Sequence, residues 1–323
     1  MTLPLIVLIA GLLLLIWSSG RFVDGASSTA RHLGMSPLLV GIIVVGFGTS
    51  APEMLVSFLA AQSGSPQLAL GNAYGSNIAN IALVLGVTAL VSPIAVHSGI
   101  LRRELPILLA VTALSFGLIF DGELSRIDAA ILFSSFAAFM VFSVRSSLQQ
   151  PQDALVQEEI LESQTPALSK SAGWFWLIFG FLVLLGSSRI LVWGAVEIAK
   201  GLGVSDLIIG LTILAVGTSL PELASSIAAA RKNEHELALG NILGSNLFNT
   251  LMVVGIAVAV KPFPVDPGIL HRDFPVMSGL TLALLPLVMD RRGEHRLGRI
   301  GGFILLVVFL AYNLWLCLGS SPG

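Results

Sequence analysis

Residues 40–61 read VGIIVVGFGTSAPEMLVSFLAA. The apolar residues at both ends suit a helix buried in a membrane. The centre does not, because it carries Gly48, the hydroxyls of Thr49 and Ser50, Pro52 and Glu53. A proline inside a helix has no N–H to donate and clashes with the preceding turn. An ionised glutamate at the bilayer centre costs about 3 kcal/mol by insertion scales. The same word returns at 217–222 as GTSLPE. A costly element that occurs twice needs a reason.

Composition sets the frame. Of 323 residues, 55% are apolar and 11% are charged, against about 25% charged in an ordinary soluble chain. Mean hydropathy is +0.90. A spanning helix needs about 20 mostly apolar residues. Ten such stretches occur, at roughly 3–24, 37–61, 67–91, 104–120, 127–144, 173–198, 206–230, 237–260, 274–289 and 299–318. The expected class is an all-α polytopic membrane protein with ten transmembrane helices. Met1 to Trp17 has no Lys or Arg ahead of its apolar run, which argues for a first span rather than a cleaved signal peptide. The single Cys317 permits no intrachain disulfide. The net charge of −2 gives no indication of a nucleic-acid partner, and no obligate protein partner is inferred.

Lys and Arg gather on the cytoplasmic side of membrane proteins. With both termini outside, eleven basic residues fall in inner loops and four in outer loops, so that orientation is expected. Residues 146–172 then form an acidic cytoplasmic linker between units 1–145 and 173–323.

Those units are copies. Displacing the chain by 169 residues lays GTSAPE on GTSLPE, Leu68–Asn72 on Leu237–Asn241, and GSNIAN (75–80) on GSNLFN (244–249). Over 48–86 against 217–255, 19 of 39 positions are identical without a gap. A unit of five spans is odd, so the second copy must enter the membrane from the opposite side. The result is an inverted-topology repeat, an arrangement common in secondary transporters.

The repeated residues suggest a chemistry. Non-helical backbone is tolerated at membrane depth where it is buried in protein or lines a wet cavity. Carbonyls at such a break, hydroxyls and carboxylates are hard oxygen donors, and Ca²⁺ takes six to eight of them. Glu53 and Glu222 together offset a double positive charge. Ser76 and Asn80 are four residues apart and share a helix face, as do Ser245 and Asn249. Asn72, Asn77, Asn241 and Asn246 are read as structural, bonding backbone freed at the breaks. Asp24 and Glu197, near the ends of the first and sixth spans, are read as helix-end or snorkelling groups. Arg102-Arg103-Glu104 and His271-Arg272-Asp273 are read as interfacial anchors. Trp174, Trp176, Tyr312 and Trp315 are read as an aromatic belt.

GTSxPE and GSNxxN, each present once per half, resemble the two alpha-repeats of the cation/Ca²⁺ exchanger superfamily, in its bacterial and archaeal sodium/calcium exchanger-like branch. The resemblance covers nearly the whole chain apart from the linker. It implies ten helices in inverted halves and antiport of Ca²⁺ against Na⁺ in a prokaryotic inner membrane. It also implies first and sixth helices that slide across a core of the second, third, seventh and eighth. The implied ligands are Glu53, Glu222, Thr49, Ser50, Thr218, Ser219, Ser76, Ser245, Asn80 and Asn249, with backbone carbonyls at Gly46 and Ala215. The ions are cargo, and no cofactor is expected. Many sodium-coupled members carry Asp where this chain has Asn249, so H⁺ stands beside Na⁺ as coupling ion. Ala51, Tyr74 and Ala79 also depart from the usual residues and are expected to reshape a vestibule. Two other classes were weighed. A membrane-embedded hydrolase would use the carboxylates as acid and base, but neither HExxH nor GxGD is present. A channel would favour parallel assembly about a pore over an inverted repeat.

Overall fold

The computed structural model describes residues 2–96, 100–149, 168–203, 215–288 and 295–319. Most of the linker, and the first part of the span expected at 206–230, lie outside these. Helices α1 (Thr2–Leu33), α2 (Pro37–Thr49), α3 (Ala51–Gln62) and α4 (Pro66–Val91) come first. A π turn at Ile100–Glu104 leads into α5 (Leu105–Ile119), followed by α6 (Arg126–Gln149). The second half has α7 (Lys170–Gly201), α8 (Ala215–Thr218), α9 (Leu220–Arg231) and α10 (His235–Val260). A π turn at Ile269–Asp273 leads into α11 (Phe274–Val288), and α12 (Arg299–Gly319) ends the described chain.

Among the described residues, six helices are long and apolar enough to cross a membrane, or seven if the bent pair α2–α3 counts as one span. The fourth and ninth expected spans begin earlier than their apolar runs suggest. Their π turns carry Arg102, Arg103 and Arg272 into the helix, with Glu104 and Asp273 buried behind them. Arg103 pairs with Glu104 at 2.7 Å and Arg272 with Asp273 at 2.7 Å. Tyr312 donates to Asp273 at 2.9 Å from a buried position, so it is a packing residue and not part of an exposed belt.

Helices α4 and α10 are buried along most of their length, whereas α1, α6, α7 and α12 turn large apolar side chains outward. In a membrane those outward side chains meet lipid. Small residues let membrane helices approach closely, and α2 meets α10 through them. A Cβ added to Gly41 would lie 2.7 Å from Leu237 O, and one on Gly244 would lie 2.6 Å from Ile42 O.

Helices α1 and α7 are 32 residues each, about 48 Å long and well beyond a hydrocarbon core of about 30 Å. They run antiparallel, with glycines seated on the opposing backbone. Gly11 meets Leu191 and Gly180 meets Phe22; Gly25 meets Leu177 and Gly194 meets Leu8. Each member of one contact lies 169 residues from a member of the other. Reciprocal contacts of this kind are the mark of a two-fold relation. The short strands behave the same way. β1 (Ile94–Ala95) pairs with β4 (Arg296–Leu297), and β2 (Glu123–Leu124) pairs with β3 (Phe263–Pro264).

Candidate ion-binding site

The two GTSxPE words form the two bends. Pro52 and Pro221 sit in the first turns of α3 and α9. The residues before those helices have nearly the same backbone: Ser50 at φ −83°, ψ 0°, and Ser219 at φ −87°, ψ 4°. α2 and α3 meet at 42°. Among the described residues each disruption is a one-residue bend and not an unwound stretch, so fewer carbonyls are freed there than expected. Gly46 O accepts from Ser50 N at 3.0 Å, and the Ser245 hydroxyl lies 3.5 Å from it. Gly217 O loses the N–H that Pro221 lacks and accepts from Ser188 Oγ of α7 at 3.2 Å. Ala215 is the first described residue of α8, two residues before Gly217.

The bends bring the repeated polar residues together. Thr49, Ser50, Glu53, Ser76, Asn80, Ser219, Glu222, Ser245 and Asn249 are all buried; Thr218 is partly buried. The halves interlock there. Thr49 Oγ1 lies 3.1 Å from Asn241 Oδ1 and 3.4 Å from Ser245 Oγ. Asn80 Nδ2 donates to Asn246 Oδ1 at 3.1 Å, and Asn77 Nδ2 to Thr250 Oγ1 at 2.8 Å. The Glu222 carboxyl lies within interaction range of the Thr49 hydroxyl and the Glu53 carboxyl.

On the residues implied as ligands, six buried oxygens have no hydrogen-bond partner: Ser50 Oγ, Glu53 Oε2, Asn80 Oδ1, Ser219 Oγ, Glu222 Oε2 and Asn249 Oδ1. They are three pairs related by the 169-residue displacement. An unsatisfied buried polar group costs about 1–3 kcal/mol, and native interiors hold few of them. Six acceptor-capable oxygens gathered among two carboxylates suit a hard cation, whose coordination they would complete. Ser76 stands one turn before Asn80, and Ser245 one turn before Asn249.

A supporting layer was only half legible. Asn241 Nδ2 lies 2.8 Å from Ser226 Oγ, 3.0 Å from Ser225 Oγ and 3.2 Å from Glu222 O. Asn72 Nδ2 makes longer contacts, 3.5 Å to Glu53 O and 3.4 Å to Ser57 Oγ. These two asparagines brace the glutamate-bearing turns, close to the structural role expected of them. Asn77 and Asn246 do not bond backbone; they tie side chains across the halves. Ser57, Ser225, Ser226 and Ser188 were not singled out beforehand. The identity of Ser57 and Ser226 across the repeat was the one available signal.

Two expectations need correction. Tyr74 lines no vestibule. It is fully buried, with its hydroxyl 2.6 Å from Ser115 Oγ and its ring 5.6 Å from that of Phe274. Asp24 does not snorkel; it is 4% exposed and lies 2.5 Å from Lys232 Nζ. Glu197 is partly buried along α7.

The comparisons agree with this architecture. A family profile described as "Sodium/calcium exchanger protein" matches residues 3–145 and 172–318. A protein of Alkalimonas amylolytica named as a candidate antiporter, CaxA, is 46% identical over 308 residues, 95% of this chain and 97% of its own. The inner membrane protein YrbG of Escherichia coli is 39% identical over 98% of both chains. The structure of the sodium-calcium exchanger NCX_Mj soaked without Na⁺ and Ca²⁺ superposes with a TM-score of 0.83 at 30% identity. That match covers 98% of this chain and 99% of the other. The chain is an integral membrane protein and belongs to the sodium/calcium exchanger family.

Proposed function

We propose that the chain exchanges Ca²⁺ for Na⁺ by alternating access to one site near the bilayer midplane. The site is built by Glu53 and Glu222 with Thr49, Ser50, Thr218, Ser219, Ser76, Ser245, Asn80 and Asn249, and with the carbonyls of Gly46 and Ala215. The observation that carries this reading is the set of six unpartnered buried oxygens, paired across the repeat around two carboxylates. The enclosing frame is ten spans in two inverted five-helix units, 1–145 and 173–323, with both termini outside and 146–172 inside. The reciprocal contacts of α1 with α7 and of the paired strands support that frame.

The coupling follows from charge. Empty, the site holds two carboxylates in a buried place, and charge there resists being sealed from water. One Ca²⁺ cancels both charges; Na⁺ ions cancel them one at a time. Only a neutralised site passes easily through a state closed to both faces, so ions cross in exchange and do not leak. Asn80 and Asn249 contribute neutral oxygens, which leaves the two glutamates as the charged ligands.

Uptake of ⁴⁵Ca²⁺ into proteoliposomes loaded with Na⁺, compared with vesicles carrying only a pH gradient, tests the proposal. Uptake that requires internal Na⁺ is expected. Uptake driven by the pH gradient alone would replace Na⁺ with H⁺ as coupling ion. No uptake under either gradient would overturn Ca²⁺ antiport.

A further inference from the structure

The two-fold is obeyed by the α1–α7 seam but not by what lies beside it. α1 packs along α9, whereas α7 makes no comparable contact with α3, the equivalent helix. Near the end of α1 the α9–α10 turn lies against it, through Lys232 on Gly20 O and Asp24.

That end carries a cluster the ion site does not use. Lys232 Nζ lies 2.5 Å from Asp24 and donates to Gly20 O at 2.8 Å. Arg21 lies 3.8 Å from the other Asp24 oxygen. Ser27 donates to Glu234, and Arg31 stands 3.9 Å from the same carboxylate. Asp24, Ser27 and Glu234 are 4%, 2% and 2% exposed. Asn233, between the two charged turn residues, has φ +59°, a left-handed conformation in which Asn is enriched. Glu234 N bonds back to Ala229 O at 2.9 Å. Lys232 and Glu234 are thus presented from a tight turn and not from a loose loop.

The equivalent positions in the other half lack this chemistry. Asp24 and Ser27 correspond to Trp193 and Val196, and Lys232 and Glu234 to Ser63 and Ser65. These four cannot form an ion pair. We infer that Asp24–Lys232 and Ser27/Arg31–Glu234 form a one-sided latch that holds the access route at the C-terminal end of α1 closed. The latch biases the resting transporter toward opening at the opposite face.

A state populated in a minor fraction shows an apparent affinity weakened by that fraction. Releasing the latch raises the fraction open at the latched face. Half-saturating Ca²⁺ is measured on both faces, using right-side-out and inside-out vesicles containing the full chain. In Asp24→Asn and Lys232→Met it should fall by roughly five- to tenfold at the latched face, in the ordinary range of conformational coupling. At the other face it should rise. The double exchange Asp24→Lys with Lys232→Asp should restore the wild-type asymmetry, and Ser27→Ala should give a smaller shift of the same sign. Unchanged values on both faces, equal changes on both, or no restoration by the exchange would overturn the latch. If Asp24→Asn does not fold, Lys232→Met carries the test, because its ammonium is partly exposed. The inference rests on the antiport reading, and a wild-type chain without exchange would defeat that reading and not the latch alone.

Discussion

Replacing Glu222 by Gln removes one of two buried carboxylates without changing the shape of the site. The consequence differs for divalent and monovalent ions. At an effective dielectric constant of about 20, a pair of unit charges about 4 Å apart interacts by about 4 kcal/mol. Ca²⁺ loses about 8 kcal/mol of attraction to the missing carboxylate. The repulsion between Glu53 and Glu222 is present in the empty and the loaded site alike, so its removal does not offset that loss. About 8 kcal/mol is between five and six decades of affinity at about 1.4 kcal/mol per decade. A single Na⁺ loses about 4 kcal/mol, half as many decades. Glu222→Gln should therefore abolish Ca²⁺ exchange at micromolar Ca²⁺, with a smaller loss of Na⁺ affinity. Titration calorimetry of the purified variant with each ion, beside ⁴⁵Ca²⁺ flux, measures both. A Ca²⁺ affinity within tenfold of wild type would refute the two-carboxylate site. An equal loss for both ions would refute the electrostatic argument and point to a collapsed site.

Other substitutions probe the supports. Asn241→Ala strands the partners that Asn241 now binds on α9. The cost should be about 2–3 kcal/mol, seen as a lower Tm together with weaker Ca²⁺ binding in the same preparation. Gly240→Ala would place a Cβ 2.5 Å from Leu38 O and 3.0 Å from Gly41 Cα. Neither neighbour is a flexible side-chain end, so α2 and α10 must part, and a loss of at least about 1–3 kcal/mol is expected in thermal unfolding. Ser188→Ala leaves the carbonyl of Gly217 without its hydroxyl donor. Exchange should slow severalfold, with recovery in Ser188→Thr wherever the threonine can reach the same oxygen. Asn249→Asp adds a third carboxylate beside Glu53 and Glu222. By the same arithmetic it should tighten Ca²⁺ binding, read by calorimetry.

The sequence was most informative where it was costly. Proline and glutamate inside an apolar run, doubled at a fixed displacement, located both bends and the residues gathered around them. The unpartnered oxygens of Ser50, Glu53 and Asn80, and of their counterparts, fall on positions already marked by the repeat. Four things were less legible. Span ends were misplaced at 104 and 274, because a π turn takes charged residues into the helix and hydropathy counts them as loop. Asp24 was misread because its partner Lys232 lies 208 residues away, and no local pattern announces that pairing. Ser188 was invisible because its acceptor is a backbone carbonyl, which carries no sequence signature. Tyr74 was assigned to a vestibule because substitution at a motif suggests a lining role, whereas burial against Phe274 is a packing role.

The π turns have a further consequence. Such a segment holds one residue more than an α-helix spanning the same path, and it enters a sequence as a single-residue insertion. The segments Ala79–Leu85 and Asn249–Val253 share one register across the repeat, and Ile100–Glu104 and Ile269–Asp273 coincide in it. The alignment of the two halves through 48–86 needs no gap. Insertions acquired separately would have left the halves out of step. A register kept without a gap is what a unit already carrying the extra residues leaves behind when it is doubled, so both halves inherit the irregular turns that hold Asn80 and Asn249.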